Sequence, residues 1–269
     1  MEKENRRKTW LYKDLKDGIM MGKKGVKRHM KREISPVFWP IHRKEKVWTV
    51  HPSPGAHSIT KSLPLILILR DLLGYAETYR ETKFLIKEGK VKVDGRIRYD
   101  ERSTVGLMDV VEIPEAKKYF RVLSSRKGLI LHPINMEESG FKLCRIESKT
   151  YTRGGNIQIN LHDGRNMLLK SEDPLQSVED VFKVYDIFKI KVPKQDLEEH
   201  LRFDEGILAL AIAGASRGRY GEVVKIEKRP GLSTTVTLKS STGDEVRTIV
   251  DYIFPVGIDS PLISLPRGM

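Results

Sequence analysis

Apolar residues are spaced as in a helix over residues 63–73, and in most of the chain after them they alternate with polar residues as in strands. Ser62 can cap the start of that helix, Pro64 is tolerated in its first turn, and Gly74 can end it. The longest apolar run, residues 65–69, is much too short to span a bilayer. The pattern predicts one short helix at this point.

A second helix is predicted directly after the first. Thr78 and Glu81 stand three residues apart, which is the sequence of a capping box, and Gly89 stops the helix. Helical spacing then sorts its side chains into two sets. The basic stripe consists of Arg80, Lys83 and Lys87. The apolar residues expected to face a core are Tyr79, Leu85 and Ile86.

The residues after Gly89 carry a strong hairpin pattern. Residues 91–93 and 96–98 alternate on either side of Asp94-Gly95, a two-residue turn that requires positive φ, and residues 110–113 supply a further strand. The outer positions of the hairpin continue the positive charge of the second helix with Lys90, Lys92, Arg96 and Arg98. We expect a phosphate-binding face across helix and hairpin, the alternative being an ordinary solvated amphipathic helix.

Two further β regions are predicted. Residues 140–192 alternate between turns, whereas residues 194–201 have a weakly helical pattern. Short strands recur at regular spacing over residues 207–250, which predicts a small barrel. The expected fold class is therefore α+β with several independent modules. They are an extension (1–20), a basic N-terminal arm (21–61), a helix–helix–hairpin domain (62–125), a central β domain (126–201), and a small β-barrel with the C-terminal tail (202–269).

Charge narrows the choice of partner. The 269 residues include 49 Lys and Arg against 36 Asp and Glu, a formal net charge of +13. Such a surplus favours polyanions, because each neutralised phosphate releases condensed counterions. Nucleic acid is the first candidate, an anionic membrane surface the second and an acidic protein the third. A basic protein with no such partner is the remaining alternative. Hydrophobic residues make up 39% of the chain, which suits small cores better than one large enzyme-like core.

The basic arm has its own pattern. Between Met21 and Lys46, nine Lys or Arg face two Glu, so the arm is expected to be disordered alone and to fold against RNA. Phe38 and Trp39 lie beside prolines and are expected to contact bases or a protein surface, the alternative being a solvated tail. The RNA-binding candidates in the arm are Lys23, Lys24, Lys27, Arg28, Lys31, Arg32, Arg43 and Lys44.

Residues 1–20 differ from the basic arm, since they mix charges of both signs and end at the pair Met20-Met21. One hypothesis makes them a mis-assigned upstream extension, with the natural start at Met20 or Met21. The other makes them a genuine disordered or short helical extension. Mass spectrometry of the N-terminal peptide of the native protein distinguishes the two.

The sequence offers no catalytic constellation. Cys144 is the single cysteine, which excludes an intrachain disulfide, fits a reducing cytoplasm and is expected to be a small buried hydrophobe. His162 beside Asp163 lacks a third group at suitable spacing, so a turn-stabilising or RNA-contacting role is favoured over acid–base chemistry. Residues 214–218 lack the Gly-Lys-Ser/Thr ending of a phosphate loop. We expect no catalytic residue, metal, cofactor, small-molecule substrate or membrane partner.

Several motifs resemble known RNA-binding families. One group of motifs resembles the S-four RNA-binding domain, which occurs in ribosomal proteins, pseudouridine synthases and some aminoacyl-tRNA synthetases. The group consists of Leu69-Arg70-Asp71 and residues 80–83, 89–95 and 105–110. Flanking segments resemble, more narrowly, the archaeal and eukaryotic S-four-e family of small-subunit ribosomal proteins, namely residues 22–32, Trp39-Pro40 and residues 158–166. Residues 218–224 resemble the KOW motif of SH3-like small barrels, although the preceding loop, 213–217, is poorer in glycine than the usual pattern.

The resemblance implies a non-enzymatic structural protein of the cytoplasmic small ribosomal subunit, with its ribosomal RNA and neighbouring ribosomal proteins as partners. It adds Arg70, Arg217 and Arg219 to the RNA-binding candidates. Each weak module would raise the effective concentration of the next. One alternative is an RNA-modifying enzyme with an S-four domain as substrate handle, but the chain after Glu112 indicates short barrels instead of a catalytic domain. Another is a translation- or transcription-factor-like adaptor.

Overall fold

The N-terminal arm is folded where the structure describes it. The computed structural model describes residues 29–42, 44–170, 182–228, 231, 233–240 and 243–266. Strands β1 (His29–Lys31) and β2 (Trp48–Val50) pair antiparallel. Between them Trp39 is buried, packs into a hydrophobic core and donates its Nε1–H to the Ser62 carbonyl at 2.9 Å. The expectation of an arm disordered alone is therefore wrong for its described part, because Trp39 anchors it to the rest of the chain.

The first predicted helix begins later than expected. Residues Ser62–Pro64 form strand β3, which pairs with β6 (Thr104–Gly106), and the Ser62 hydroxyl donates to the Ser58 carbonyl instead of capping a helix. Helix α1 (Leu65–Leu67) comes next and continues as a π-helical turn over Ile68–Leu72. The strand pairing explains the shift, because it holds Pro64 in an extended conformation.

The second predicted helix is confirmed. Helix α2 (Tyr79–Lys87) starts at a capping box in which the Glu81 amide donates to the Thr78 hydroxyl at 3.3 Å. Ile86 is buried and Leu85 half-buried, as expected. The prediction for Tyr79 is wrong, since its ring is 38% exposed. Its hydroxyl donates to Glu101 at 2.9 Å, which draws the ring toward the polar side.

The first five-stranded sheet carries the predicted hairpin. Its strand order is β5-β4-β7-β8-β9 and all pairs are antiparallel. The turn residues Asp94 and Gly95 have φ of +52° and +69°, as the hairpin pattern requires. The expected boundary between residues 125 and 126 falls in the turn between β8 and β9, so the last strand of this sheet lies beyond it. The strands are β4 (Lys92–Val93), β5 (Arg96–Ile97), β7 (Val110–Ile113), β8 (Lys118–Ser125) and β9 (Gly128–Ile134).

The central sheet confirms the β character of residues 140–192. Its order is β12-β11-β10-β13-β14, and a short helix, α3 (Met136–Ser139), leads into it. The weakly helical pattern of residues 194–201 was misleading: strand β14 pairs with β13 there, with Leu201 opposite Ile187. A partner strand and a buried leucine override local preference. The strands are β10 (Phe141–Tyr151), β11 (Ile157–Leu161), β12 (Asn166–Leu169), β13 (Ile187–Lys191) and β14 (Leu197–Leu201).

The C-terminal sheet has the order β18-β17-β16-β15-β19, again antiparallel throughout. Gly221 of β16 lies very close to the backbone at the end of β17, and a Cβ there would be 2.3 Å from the Lys239 carbonyl oxygen. Only glycine fits this approach. The strands are β15 (Leu208–Ala211), β16 (Tyr220–Glu227), β17 (Thr235–Lys239), β18 (Glu245–Ile249) and β19 (Ile253–Gly257).

The three sheets share one hydrophobic core. Met108 and Leu123 of the first sheet region pack in it with Leu143 and Ile187 of the central sheet and Phe254 of the C-terminal sheet. Each sheet region also has an apolar cluster of its own, so distinct modules pack against one another through this shared core. The architecture is mixed and mostly β, with few helices. Among the described residues, no helix is long and apolar enough to span a bilayer.

Candidate nucleic-acid interface

Helix α2 presents its predicted basic stripe to solvent. Arg80 and Lys87 are exposed and Lys83 is half-buried. The Lys83 ammonium lies 3.0 Å from a Glu101 carboxylate oxygen, and this hydrogen bond raises the pKa of Lys83. The stripe therefore offers two unshielded cations and one that a carboxylate partly neutralises.

The hairpin lies against the end of this helix, as the continuity of charge predicted. A Cβ at Gly89 would lie 3.3 Å from the Ile97 side chain, so the two elements meet there. Arg96 is exposed, and two further hairpin cations, Lys92 and Arg98, are half-buried. Lys90 is the exception, since its ammonium lies 2.9 Å from a carboxylate oxygen of Glu88 and 3.5 Å from one of Glu115. Its charge is largely balanced within the protein.

The arm divides its cations between surface and interior. Lys31 and Lys44 are exposed and line a cleft of about 540 Å³. Arg32 lines it too, but its guanidinium turns inward, where Nε and one terminal nitrogen donate to the Ile41 carbonyl at 3.2 and 3.0 Å. Arg32 thus braces the arm, and its role as an RNA ligand stays a prediction. The predictions for residues 1–20, Lys23, Lys24, Lys27, Arg28 and Arg43 fall outside the described residues.

Arg70 and Asp71 form a bidentate ion pair, with both N–O distances at 2.8 Å. This pair fixes the planar guanidinium at the edge of a second cleft, which also includes Trp48 of β2 and Tyr79 of α2. Arg70 therefore lies at the surface, but its charge is shared with a carboxylate of the same chain.

Arg217 was predicted to present its charge to RNA, but its guanidinium packs within the protein. Its Nε donates to the Ser124 hydroxyl at 2.9 Å and its guanidinium lies 5.4 Å from the centroid of the Phe38 ring. Burial lowers the pKa of Arg217. The next residue, Gly218, lies so close to the turn after β8 that a Cβ there would be 2.8 Å from the Arg126 amide nitrogen. Arg217 joins the C-terminal sheet to the first sheet and the arm. Phe38 contacts this arginine, so the ring lies against a protein surface, one of the two alternatives predicted for it. Arg219 is exposed, as predicted.

A buried ionic cluster, which the sequence patterns did not reveal, links the first sheet to the central one. The Lys142 ammonium contacts the carboxylates of Asp94 at 3.0 Å, Asp163 at 2.9 Å and Asp109. Arg165 contacts two of the same carboxylates, Asp94 at 2.6 Å and Asp163 at 3.1 Å. Lys142 stands between the apolar residues Phe141 and Leu143 in the sequence, which gives no sign of its ionic partners. The available signal was Asp in the turns Asp94-Gly95 and Asp163-Gly164.

His57 completes this cluster. Its Nε2 lies 3.1 Å from the Asp109 carboxylate. Burial opposes protonation of the ring, but the charge of Asp109 and its hydrogen bond outweigh burial and raise the pKa of His57. Three carboxylates thus face two permanent cations, Lys142 and Arg165, and one histidine whose pKa is raised.

His162 is half-buried, and both of its ring nitrogens have partners within the protein. Its Nδ1 accepts the Arg145 amide proton at 3.1 Å and its Nε2 lies 3.2 Å from the Leu107 carbonyl oxygen. Burial and the Lys142 charge lower the pKa of His162 to about 3. Its ligand atoms lie within 4.8 Å of those of Cys144 and Asp163. These three side chains do not suit a metal ion, because both ring nitrogens of His162 are engaged and burial raises the pKa of the Cys144 thiol. Cys144 is buried, as predicted.

Two family models match parts of this chain. The family model described as Ribosomal family S4e matches residues 116–197, and the RS4NT domain matches residues 24–60. The small ribosomal subunit protein eS4 of Desulfurococcus amylolyticus is 46% identical over 92% of this chain and 99% of its own. That of Methanocaldococcus jannaschii is 48% identical over 91% of this chain and 100% of its own.

A solved structure is also similar. The crystal structure of the 30S ribosomal protein S4e from Thermoplasma acidophilum superposes with a TM-score of 0.62 and 29% identity, over 74% of this chain and 96% of that one. The similarity thus extends over nearly the full length of these relatives. The chain belongs to the ribosomal S4e family.

Proposed function

We infer that the chain is a non-enzymatic structural constituent of the cytoplasmic small ribosomal subunit and acts in translation by binding small-subunit ribosomal RNA and neighbouring ribosomal proteins. The observation that carries this inference is identity of 46–48% over more than nine-tenths of both chains to proteins named as small-subunit components. The net charge of +13 suits a polyanionic partner.

Exposed and half-buried cations of several modules are the proposed contacts. They lie on the arm, on helix α2, on the hairpin and beside β16, and consist of Lys31, Lys44, Arg80, Lys83, Lys87, Lys92, Arg96, Arg98 and Arg219. Basic arm residues outside the described part remain candidates on sequence grounds. Such side chains bind phosphates and read the shape of folded RNA, and they carry little base specificity.

A rigid frame supports this mode of binding. The shared hydrophobic core and the Lys142 cluster hold the first and central sheets together, and Arg217 holds the C-terminal sheet to them. The cations are therefore arranged before RNA arrives, so that less conformational freedom is lost on binding. Flexible linkage between independent modules would lack this advantage.

The finer module assignments are also proposals. Residues 62–134, which include the β8–β9 hairpin, would be the S-four-like RNA-binding domain. The C-terminal sheet would be the KOW-type, SH3-like barrel, which the close approach of β16 to β17 at Gly221 supports. The central β domain would then span about residues 135–201.

Sedimentation tests the proposed function. A structural component stays with small subunits in a sucrose gradient at high salt, because many contacts are engaged at once. Release of the protein from otherwise intact subunits at moderate salt would instead indicate a translation- or transcription-factor-like adaptor. Assay of modified nucleosides after incubation with ribosomal RNA tests the enzymatic alternative.

A further inference from the structure

The cleft between the arm and helix α2 combines aromatic rings with positive charge. Its volume is about 470 Å³, within the size range of small-ligand sites. Trp48 of β2 lines it with its side chain 58% exposed, and Tyr79 of α2 lines it at 38% exposure. An exposed tryptophan and an exposed tyrosine from separate elements thus share one concave surface.

The charged side chains that line the cleft are all basic, and one of them, Arg70, shares its charge with Asp71. Lys46, Arg70 and Arg102 line it together with His29 and His51, and no acidic residue of the described chain is among its lining. Arg70 is fixed by its bidentate pair with Asp71. In nucleic acids, Lys and Arg side chains bind mainly the phosphate groups.

We propose that this cleft binds one unpaired nucleotide of the ribosomal RNA, with its base stacked on Trp48 and its phosphate held by the surrounding cations. The inference rests on the proposed function and gives the interface a second mode of contact. Base–aromatic stacking beside a cationic groove is the general way in which proteins bind single-stranded nucleotides. Paired RNA cannot use it, because its bases are already stacked within the helix.

The rigidity of the cleft favours this ligand. Strand pairing sets Trp48 opposite Lys31, and its ring meets that of His29 edge-on with centroids 5.8 Å apart. Tyr79 is held by its hydrogen bond to Glu101. The aromatic surfaces are therefore positioned in advance, so stacking costs little side-chain entropy.

The other available occupant, the N-terminal segment of the same chain, fits poorly. Residues 1–28 carry ten Lys or Arg against four acidic residues, the same sign of charge as the cleft. An RNA nucleotide has the opposite charge and a planar base.

Three short RNA duplexes provide the test with the full-length protein. The first is fully paired, the second contains a single bulged adenosine, and the third contains a bulged abasic residue in its place. The wild-type protein is expected to bind the adenosine bulge about ten-fold more tightly than the other two, since stacking of one base is worth 1–3 kcal/mol. Trp48→Ala is expected to abolish this preference and leave affinity for the fully paired duplex unchanged, whereas Trp48→Phe keeps much of it.

Tyr151→Ala is the matched control, because Tyr151 is an aromatic of the central sheet that is 75% exposed and does not line the cleft. It should retain the full preference for the adenosine bulge. Equal binding of adenosine and abasic bulges by the wild-type protein would overturn the inference while leaving the proposed function intact. So would an equal loss of affinity for all three duplexes in Trp48→Ala. Failure to bind any of the duplexes would overturn both.

Discussion

Lys142 of β10 and Asp109, which directly precedes β7, form a buried ion pair between the central sheet and the first sheet. Both side chains are almost fully enclosed, and Lys142 has two further carboxylate partners. Burial opposes ionisation of Asp109, but Lys142 and His57 outweigh it and hold the pKa of Asp109 well below its usual range. A polar cluster of this kind fixes the two sheets in one relative position, because any displacement strands a charge in the interior.

Removal of the central cation should unfold the protein more readily. Lys142→Met leaves Asp109 and its neighbours with too little positive charge, which is expected to lower the free energy of unfolding by about 3–5 kcal/mol. Urea denaturation followed by circular dichroism measures it. Lys191→Met, at the exposed end of β13, is the control and should change stability by less than about 0.5 kcal/mol. Equal effects of the two substitutions would mean that the cluster does not hold the two sheets together.

His57 and His162 should affect stability in opposite directions with pH. The pKa of His57 is raised in the folded protein, so its contribution to stability is complete below its unfolded pKa of about 6.5 and is lost as pH rises through the folded value. The pKa of His162 is lowered to about 3, so its contribution is present above about 6.5 and is lost as pH falls toward 3.

Urea denaturation of His57→Gln and His162→Gln across this pH range measures both effects. The stability difference between wild type and His57→Gln is expected to shrink as pH rises above 6.5. The difference between wild type and His162→Gln should instead shrink as pH falls below 6.5. Parallel pH curves for the wild type and both variants would contradict the assigned surroundings.

Arg217 and Arg219 should differ in what they support. Arg217→Ala removes the contact with Ser124 and the packing on Phe38, and is expected to lower stability by about 1–3 kcal/mol. Arg219→Ala should leave stability within about 0.5 kcal/mol of wild type. It should also reduce the salt slope of RNA binding by about one unit. Thermal unfolding and titration with ribosomal RNA measure the two properties. A loss of stability in Arg219→Ala with none in Arg217→Ala would reverse the assignment.

The close approach of β16 to β17 at Gly221 should not accept a side chain. A Cβ there would lie 2.3 Å from the Lys239 carbonyl oxygen, so Gly221→Ala forces β16 and β17 apart and should lower stability by about 1–3 kcal/mol. Gly140→Ala is the matched control, because its Cβ would have no neighbour closer than 3.5 Å. Unfolding temperatures of the two variants are compared. A stable Gly221→Ala protein would contradict the close approach.

Local features were predictable from the sequence, and long-range ones were not. The Thr78 capping box and the Asp94-Gly95 turn depend on neighbouring residues, and both were found. Residue type was the only guide to Trp39, expected to contact bases or a protein surface, and to Arg217, expected to contact RNA. Their partners, Ser62 and Ser124, are 23 and 93 positions away. A cation in a basic chain looks like a ligand for phosphate until its own carboxylate or hydroxyl partner is known.

The candidate interface shows the same division. Arg80, Lys87 and Arg96 are exposed as their helix and hairpin positions predicted. Lys90 occupies an equivalent sequence position but is balanced by Glu88 and Glu115. Spacing predicts which face a side chain lies on, whereas its ion pairs depend on how distant elements pack.

The central claim is that preorganised cations, including those of helix α2, bind folded RNA through its phosphates. The most direct test measures the affinity for a small-subunit ribosomal RNA transcript over a range of salt concentrations. The test variant changes Arg80, Lys83 and Lys87 together to Gln, and the control changes three exposed lysines of the C-terminal sheet, Lys225, Lys228 and Lys239, to Gln. The log–log salt slope is expected to become shallower by roughly 2 to 3 units in the first variant, with little change in the second. An unaltered slope in the helix variant would contradict the claim.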